Sequence, residues 1–114
     1  LDFPKMAEGV RNMVRESLDA LSNMNPRLAQ HVLTMDDEID EANRGMFNIL
    51  QELMHRDPST IERAVHLLSA SRYLERIADL ATNIAQDVVY MSEGRLIRHL
   101  TEDDLKNVPL KKEQ

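Results

Sequence analysis

At 114 residues the chain is long enough for one domain with a real core, since burial on folding reaches roughly two-thirds of the chain surface near this size, and too short for a second. With 42% hydrophobic and 30% charged residues it is too apolar for a disordered chain, and with no Cys it has no disulfide framework, zinc-thiolate site or thiol nucleophile. A net charge of −6 opposes binding to nucleic acid or anionic lipid, and there is neither a signal-peptide pattern nor an apolar run near the roughly 20 residues of a membrane-spanning helix.

Aromatic residues are scarce: two Phe, two Tyr and no Trp stand beside seven Met. The core must therefore be built from Leu, Ile, Val, Ala and Met, side chains that suit interlocking helices. From Phe3 to about Asn23 the apolar positions Met6, Val10, Met13, Val14, Leu18 and Leu21 recur at three- and four-residue spacing, one face of a first helix. Asn25 then precedes Pro26, a capping side chain ahead of a proline placed where a first-turn N–H would be unpaired anyway. The second helix runs from Pro26 to about His55 along Leu28, Val32, Met35, Ile39, Ala42, Met46, Ile49 and Leu53. Asp57 before Pro58 repeats the start signal, and Ser59 with Glu62 adds a capping box. The third helix runs from Pro58 to about Glu93 through Leu67, Ala70, Leu74, Ile77, Ala78, Ala81, Ile84, Ala85 and Val88, and Gly94 reads as its stop.

At about 1.5 Å per residue the second and third helices are rods of roughly 45–50 Å, which can bury their stripes only against each other and the first. Short breaks force antiparallel neighbours. The expected fold is therefore all-α, an antiparallel three-helix bundle with helices at about 3–23, 26–55 and 58–93 in a single domain over 1–100. Residues 101–114 read as a short polar tail, with Thr101-Glu102-Asp103-Asp104 as a capped turn and a frayed end. A start at Leu1 rather than Met suggests a fragment or internal domain, and the composition favours the cytoplasm.

Two segments place an acid four residues before an Asp: Asp36 and Asp40 on the second helix, Glu75 and Asp79 on the third. That spacing puts each pair on one helix face. Measured from the centre of each stripe, the first pair lies roughly 100° round and the second roughly 140° round in the same sense. In an antiparallel hairpin, equal rotation in one sense brings both flanks to the same side. Asp36 and Asp79 are equidistant from the Asp57–Pro58 break, as are Asp40 and Glu75, so the four acids should be level as well as co-facial. Carboxylates about 4 Å apart repel by roughly 1–4 kcal/mol, so something positive should compensate. Arg44 and Arg76 could do so as fixed counter-charges. The functional reading is a bound cation on oxygen ligands, of the kind that suits Mg, Ca, Mn or iron, with Asn83 as an outer ligand.

The segment Leu74-Glu75-Arg76-Ile77-Ala78-Asp79-Leu80-Ala81-Thr82-Asn83-Ile84-Ala85-Gln86-Asp87, its continuation to Gly94-Arg95-Leu96-Ile97-Arg98-His99, and Met35-Asp36-Asp37-Glu38-Ile39-Asp40 resemble the signature segments of the PhoU family. Met6-Ala7-Glu8 and Leu18-Asp19-Ala20-Leu21 extend the resemblance over nearly the whole chain. The resemblance implies a PhoU-like three-helix bundle, one copy of a unit usually repeated twice, and the Gly94–His99 ending is similar to the carboxy-terminal repeat. It implies metal binding at Asp36, Asp40, Glu75 and Asp79, the metal being iron in a multinuclear cluster or another divalent cation such as Mn, Mg or Zn. It further implies no enzymatic activity. The implied role is negative regulation of phosphate uptake and of the phosphate-starvation response, through a phosphate ABC-transporter ATPase and a sensor histidine kinase. A homodimer is expected, without nucleic acid and without direct membrane insertion.

Two readings from other classes compete. A carboxylate-bridged di-iron enzyme needs two Glu-x-x-His motifs on a bundle, and Glu52-Leu53-Met54-His55 supplies one, with His55 also explained by the dipole at the helix end. A purely structural helical interaction module would use the acids as solubilising surface. His66 as a phosphoryl acceptor lacks the acidic neighbour such a site needs, and His31 and His99 are scattered.

Overall fold

Asn25 and Asp57 each begin a helical segment by folding their side chains back onto the backbone. The structure, a computed structural model, describes residues 3–106 and the side chains of residues 3–94. Its elements are α1 (Phe3–Asn23), α2 (Pro26–Arg56), a 3-10 turn (Pro58–Thr60) and α3 (Ile61–Lys106). Asn25 Oδ1 accepts from the N–H of Arg27 at 3.1 Å and of Leu28 at 3.2 Å, with Pro26 in the first turn. Asp57 Oδ1 accepts from the Ser59 N–H at 3.1 Å and the Ser59 hydroxyl at 2.6 Å. The expected Ser59–Glu62 capping box is therefore replaced by a turn that Asp57 caps, and the regular helix starts three residues later.

Between α1 and α2 the N–H of Asn25 reaches the Ala20 carbonyl at 2.8 Å and that of Met24 reaches Leu21 at 3.3 Å, the paired bonds of a Schellman C-cap. Met24 holds the left-handed position at φ 47°, where an L side chain costs about 1–2 kcal/mol. Its side chain packs on the core, which offsets part of that cost.

The buried stripe is not quite the one the sequence suggests. On α1 it runs Met6, Val10, Met13, Ser17, Ala20, while Leu18 and Leu21 stay 47% and 41% exposed. Ser17 is tolerated there because its hydroxyl donates to the Val14 carbonyl at 2.8 Å. On α2 the buried residues are Ala29, Val32, Ile39, Met46 and Leu50, whereas Ala42 and Ile49 face solvent. The spacing 29-32-36-39-43-46-50 is an alternation of three and four, the seam of helices packed at shallow angles. Two of its positions are filled by Asp36 and Asn43. On α3 the small residues Ala64, Ser71, Ala78, Ala81, Thr82 and Ala85, with Val88, face the other two helices.

Gly94 does not stop α3. The helix passes through it with no positive φ and continues to Lys106, so the expected boundary at Glu93 and the separate capped turn at Thr101–Asp104 are both corrected; residues 107–114 lie outside the described residues. One interior glycine costs only about 1 kcal/mol against Ala, and no proline follows until Pro109. A Cβ added at Gly94 would meet nothing within 4 Å. Gly94→Ala is therefore expected to stabilise the helix, by up to about 1 kcal/mol, read as a rise in ellipticity and melting midpoint. A loss of similar size would mean that the residue takes a left-handed stop conformation in solution.

Candidate metal centre

Register between α2 and α3 is set by a polar cross-link inside the seam. Asn43 Nδ2 donates to Glu75 Oε2 at 3.1 Å, and the buried Ser71 hydroxyl donates to Asn43 Oδ1. Asn43 thus sits level with the 71–75 turn of α3. The antiparallel path carries Asp40 to the level of Glu75 and Asp36 to that of Asp79, as their equal distances from the break require.

The four acids differ in depth. Asp36, Asp40 and Glu75 are half-buried, and Asp79 is exposed. Asp36 lies deepest: its Oδ1 is buried and has no hydrogen-bond partner among the described residues. Asp36 lies nearer the core than a position roughly 100° round from the centre of the expected stripe suggests, because the stripe is shifted and turns Asp36 into the seam. Burial pushes the Asp36 carboxyl above the ordinary carboxylate range, and Asp40, Asp79, Asp37 and Glu75 push it further, in that order. All three other site acids are therefore close enough to be felt at Asp36.

Arg44 and Arg76 do not neutralise the group. Among the described residues neither lies within salt-bridge distance of these acids, and the Arg76 guanidinium sits 5.8 Å from the Tyr73 ring centroid. Nor, among the described residues, do three or more His, Cys, Asp or Glu side chains stand close enough to hold one metal ion as placed. Asn83 is exposed, and among the described residues no side-chain hydrogen bond ties it to the row. Glu52 and His55 are exposed as well, and His55 lies fifteen residues beyond Asp40 on α2, roughly 22 Å away. His31 Nδ1 pairs with Glu16 Oε1 at 2.7 Å and ties α1 to α2. The residues that sequence reasoning passed over are Asn43 and Ser71. The three-four alternation through 36, 39 and 43 would have marked Asn43 as a seam position.

The raised Asp36 carboxyl predicts a pH dependence of stability. A group that binds its proton more readily folded than unfolded destabilises the fold at pH above its folded pKa, and the penalty is relieved as pH falls through that value towards the ordinary one. Asp36→Asn should therefore be more stable than the parent at pH 7 without metal, by about 0.5–1 kcal/mol given solvent screening. The difference should shrink as the pH drops below the ordinary carboxylate range. Denaturant melts at several pH values, with chelator present, measure it. An Asn variant that is less stable at neutral pH would show that the carboxylate has a favourable partner.

Taken together, these features define a class: an all-helical three-helix bundle domain whose second and third helices bring acidic side chains near one another. The model of the PhoU domain matches residues 3–88, and the chain belongs to the PhoU domain family. Relatives named phosphate-specific transport system accessory protein PhoU homolog include one from Zymomonas mobilis, 40% identical over 93 residues, covering 82% of this chain and 39% of that protein. Another from Pseudomonas putida is 38% identical, covering 83% of this chain and 37% of the relative. A third from Aquifex aeolicus is 37% identical, with 82% and 42% covered. The chain thus spans about two-fifths of the length of these relatives. No solved structure matches it. Among the described residues no helix is long and apolar enough to cross a membrane.

Proposed function

We propose that this chain is a metal-binding regulatory domain of phosphate-specific transport. What supports the reading is that the segment matched by the PhoU domain contains Asp36, Asp40, Glu75 and Asp79, and that the charges of the other three are felt at Asp36. The names of the relatives give the biological setting, accessory function in phosphate-specific transport.

The donor set suits a hard cation: four carboxylates, no thiolate and no imidazole, a set that favours iron, Mn or Mg over Zn. The buried Asp36 oxygen, without a hydrogen-bond partner or an arginine in salt-bridge reach among the described residues, is the feature a cation would answer. Because no three of the acids converge as placed, binding requires the side chains to swing inward, which the exposed Asp79 can do most readily. A bound ion supplies positive charge that cancels the crowding. The protein's own part is to hold Glu75 through Asn43, to keep Asp36 in the seam, and to present the finished surface for docking. The partners of this reading are the transporter ATPase and a sensor histidine kinase, and its effect is negative regulation of uptake and of the starvation response, with no catalysis by the domain.

Elemental analysis of untagged protein, paired with pull-downs against the ATPase and the kinase with and without chelator, tests the reading. A retained transition metal and chelator-sensitive capture are the expected results. Protein that carries no metal, and takes up neither Fe2+ nor Mn2+ in titration, would remove the metal from the proposal.

A further inference from the structure

α1 and α2 do not close against each other along their outer side. Between residues 5–12 of α1 and 35–42 of α2 they leave an open groove of about 750 Å³ with a mostly apolar lining. Its floor is Met6, Gly9, Met35, Ile39 and Ala42. Two small residues shape it. A Cβ on Gly9 would stand 2.9 Å from Ile39 Cδ1, so the isoleucine leans onto the α1 backbone, and the exposed Ala42 adds no long side chain to fill the space. Met35, Ala42 and Ile49 recur at seven-residue spacing and so keep to one line along α2, about 20 Å or roughly four helical turns long. Gly9 lies beside Ile39, so the described part of α1, which starts at Phe3, reaches about the level of residue 45 and leaves Ile49 beyond it, 52% exposed.

The rim of the groove is acidic. Glu38 and Glu41 border it on α2 and Glu8 on α1, and Glu52 carries the same flank past Ile49. Glu38, Glu41 and Glu52 are exposed and have no ion-pair partner among the described residues. Glu8 faces the exposed Arg11 at 3.7 Å, a pair that solvent leaves weak. Lys5 lines the groove too and has an interaction of its own.

We propose that this face binds an amphipathic helix of a partner protein, one that sets an apolar ridge into the groove and lays Lys and Arg along its rim. A helix fits because the floor is an apolar line of helical length, and methionine side chains adapt to the ridge that enters. Cationic flanks fit because the acids of the rim lack strong partners of their own. A second copy matches less well, since a chain of net charge −6 brings like charge to the rim. A metal ion does not match either, because among the described residues no three acids gather here. Asp36 and Asp40 lie on the other flank of α2, turned towards α3, so the face serves whether or not the domain holds a metal.

The probe is a labelled peptide of about 18 residues with Leu at i, i+3, i+4 and i+7 spacing and Lys on both flanks, titrated with the 114-residue chain at low salt and read by anisotropy. Saturable binding is expected, and the same peptide with Glu in place of Lys should bind at least about tenfold more weakly. Ala42→Trp fills the groove and should weaken the Lys peptide by about tenfold or more with helicity unchanged. Glu38→Lys combined with Glu41→Lys should reverse the preference between the two peptides. No saturation up to about 500 μM overturns the proposal, as does an Ala42→Trp chain that binds as well as the parent. A loss in Asp36→Asn with Asp79→Asn equal to that in Ala42→Trp also overturns it, since the peptide then follows acidic charge in general. Self-association in sedimentation that Ala42→Trp abolishes would give the groove to a second copy instead.

Discussion

Asp36→Asn combined with Asp79→Asn is expected to lower metal affinity by at least about 100-fold while leaving the helical content unchanged. The argument rests on depth and charge. Asp36 holds the innermost oxygen and Asp79 is the most exposed of the four, and the two are equidistant from the Asp57–Pro58 break and near enough for each charge to act on the other. Replacing both removes two of the four charges and leaves amides, which are weak ligands for hard cations. Losses of 10–100-fold follow even from changes one shell further out, so a change in the ligands themselves should be larger. The fold should not suffer, because the substitutions remove like-charge repulsion rather than an attraction. Isothermal titration with Mn2+ or anaerobic Fe2+, beside circular dichroism, separates the outcomes. Undiminished binding would place the metal elsewhere, and unfolding would make the acids structural.

Leu50→Ala should destabilise the domain by about 3 kcal/mol, whereas Ile49→Ala, one residue earlier, should cost less than about 1 kcal/mol. Leu50 is fully buried in the seam of α2, and truncating such a side chain forfeits both transfer energy and the packing around the cavity it leaves. Ile49 is 52% exposed, and only part of its side chain leaves water on folding. The two residues are 100° apart on the helix, so the pair reports its rotation directly. Equal costs, or the reverse order, would mean that α2 is turned with Ile49 inward, as the simple hydrophobic stripe suggests. Chemical denaturation monitored by ellipticity is sufficient, since a domain this size unfolds as one unit.

That contrast marks where the sequence stops being sufficient. Asn25-Pro26 and Asp57-Pro58 declare their helix starts through local chemistry alone, because a capping side chain and a proline act within one turn whatever the rest of the chain does. Three helices, their antiparallel order and the matched heights of the acid pairs follow from those two breaks. Rotation about each helix axis does not. On α3 apolar residues lie on two flanks, so periodicity fits more than one phase; on α2 the pattern places Ala42 and Ile49 inward as readily as Asn43 and Leu50. The choice is made by neighbours: the Ser71–Asn43–Glu75 link satisfies polar groups that would otherwise be buried unpaired, and that gain turns Asp36 into the seam. Gly94 is a parallel case. A glycine ends a helix only where the chain has something to gain by turning, and here nothing crowds it, so α3 continues. Local chemistry therefore determined the elements and their order, while the depth of Asp36 and the apolar flank of α3 were decided by packing, because burial is a property of pairs of helices and not of any one of them.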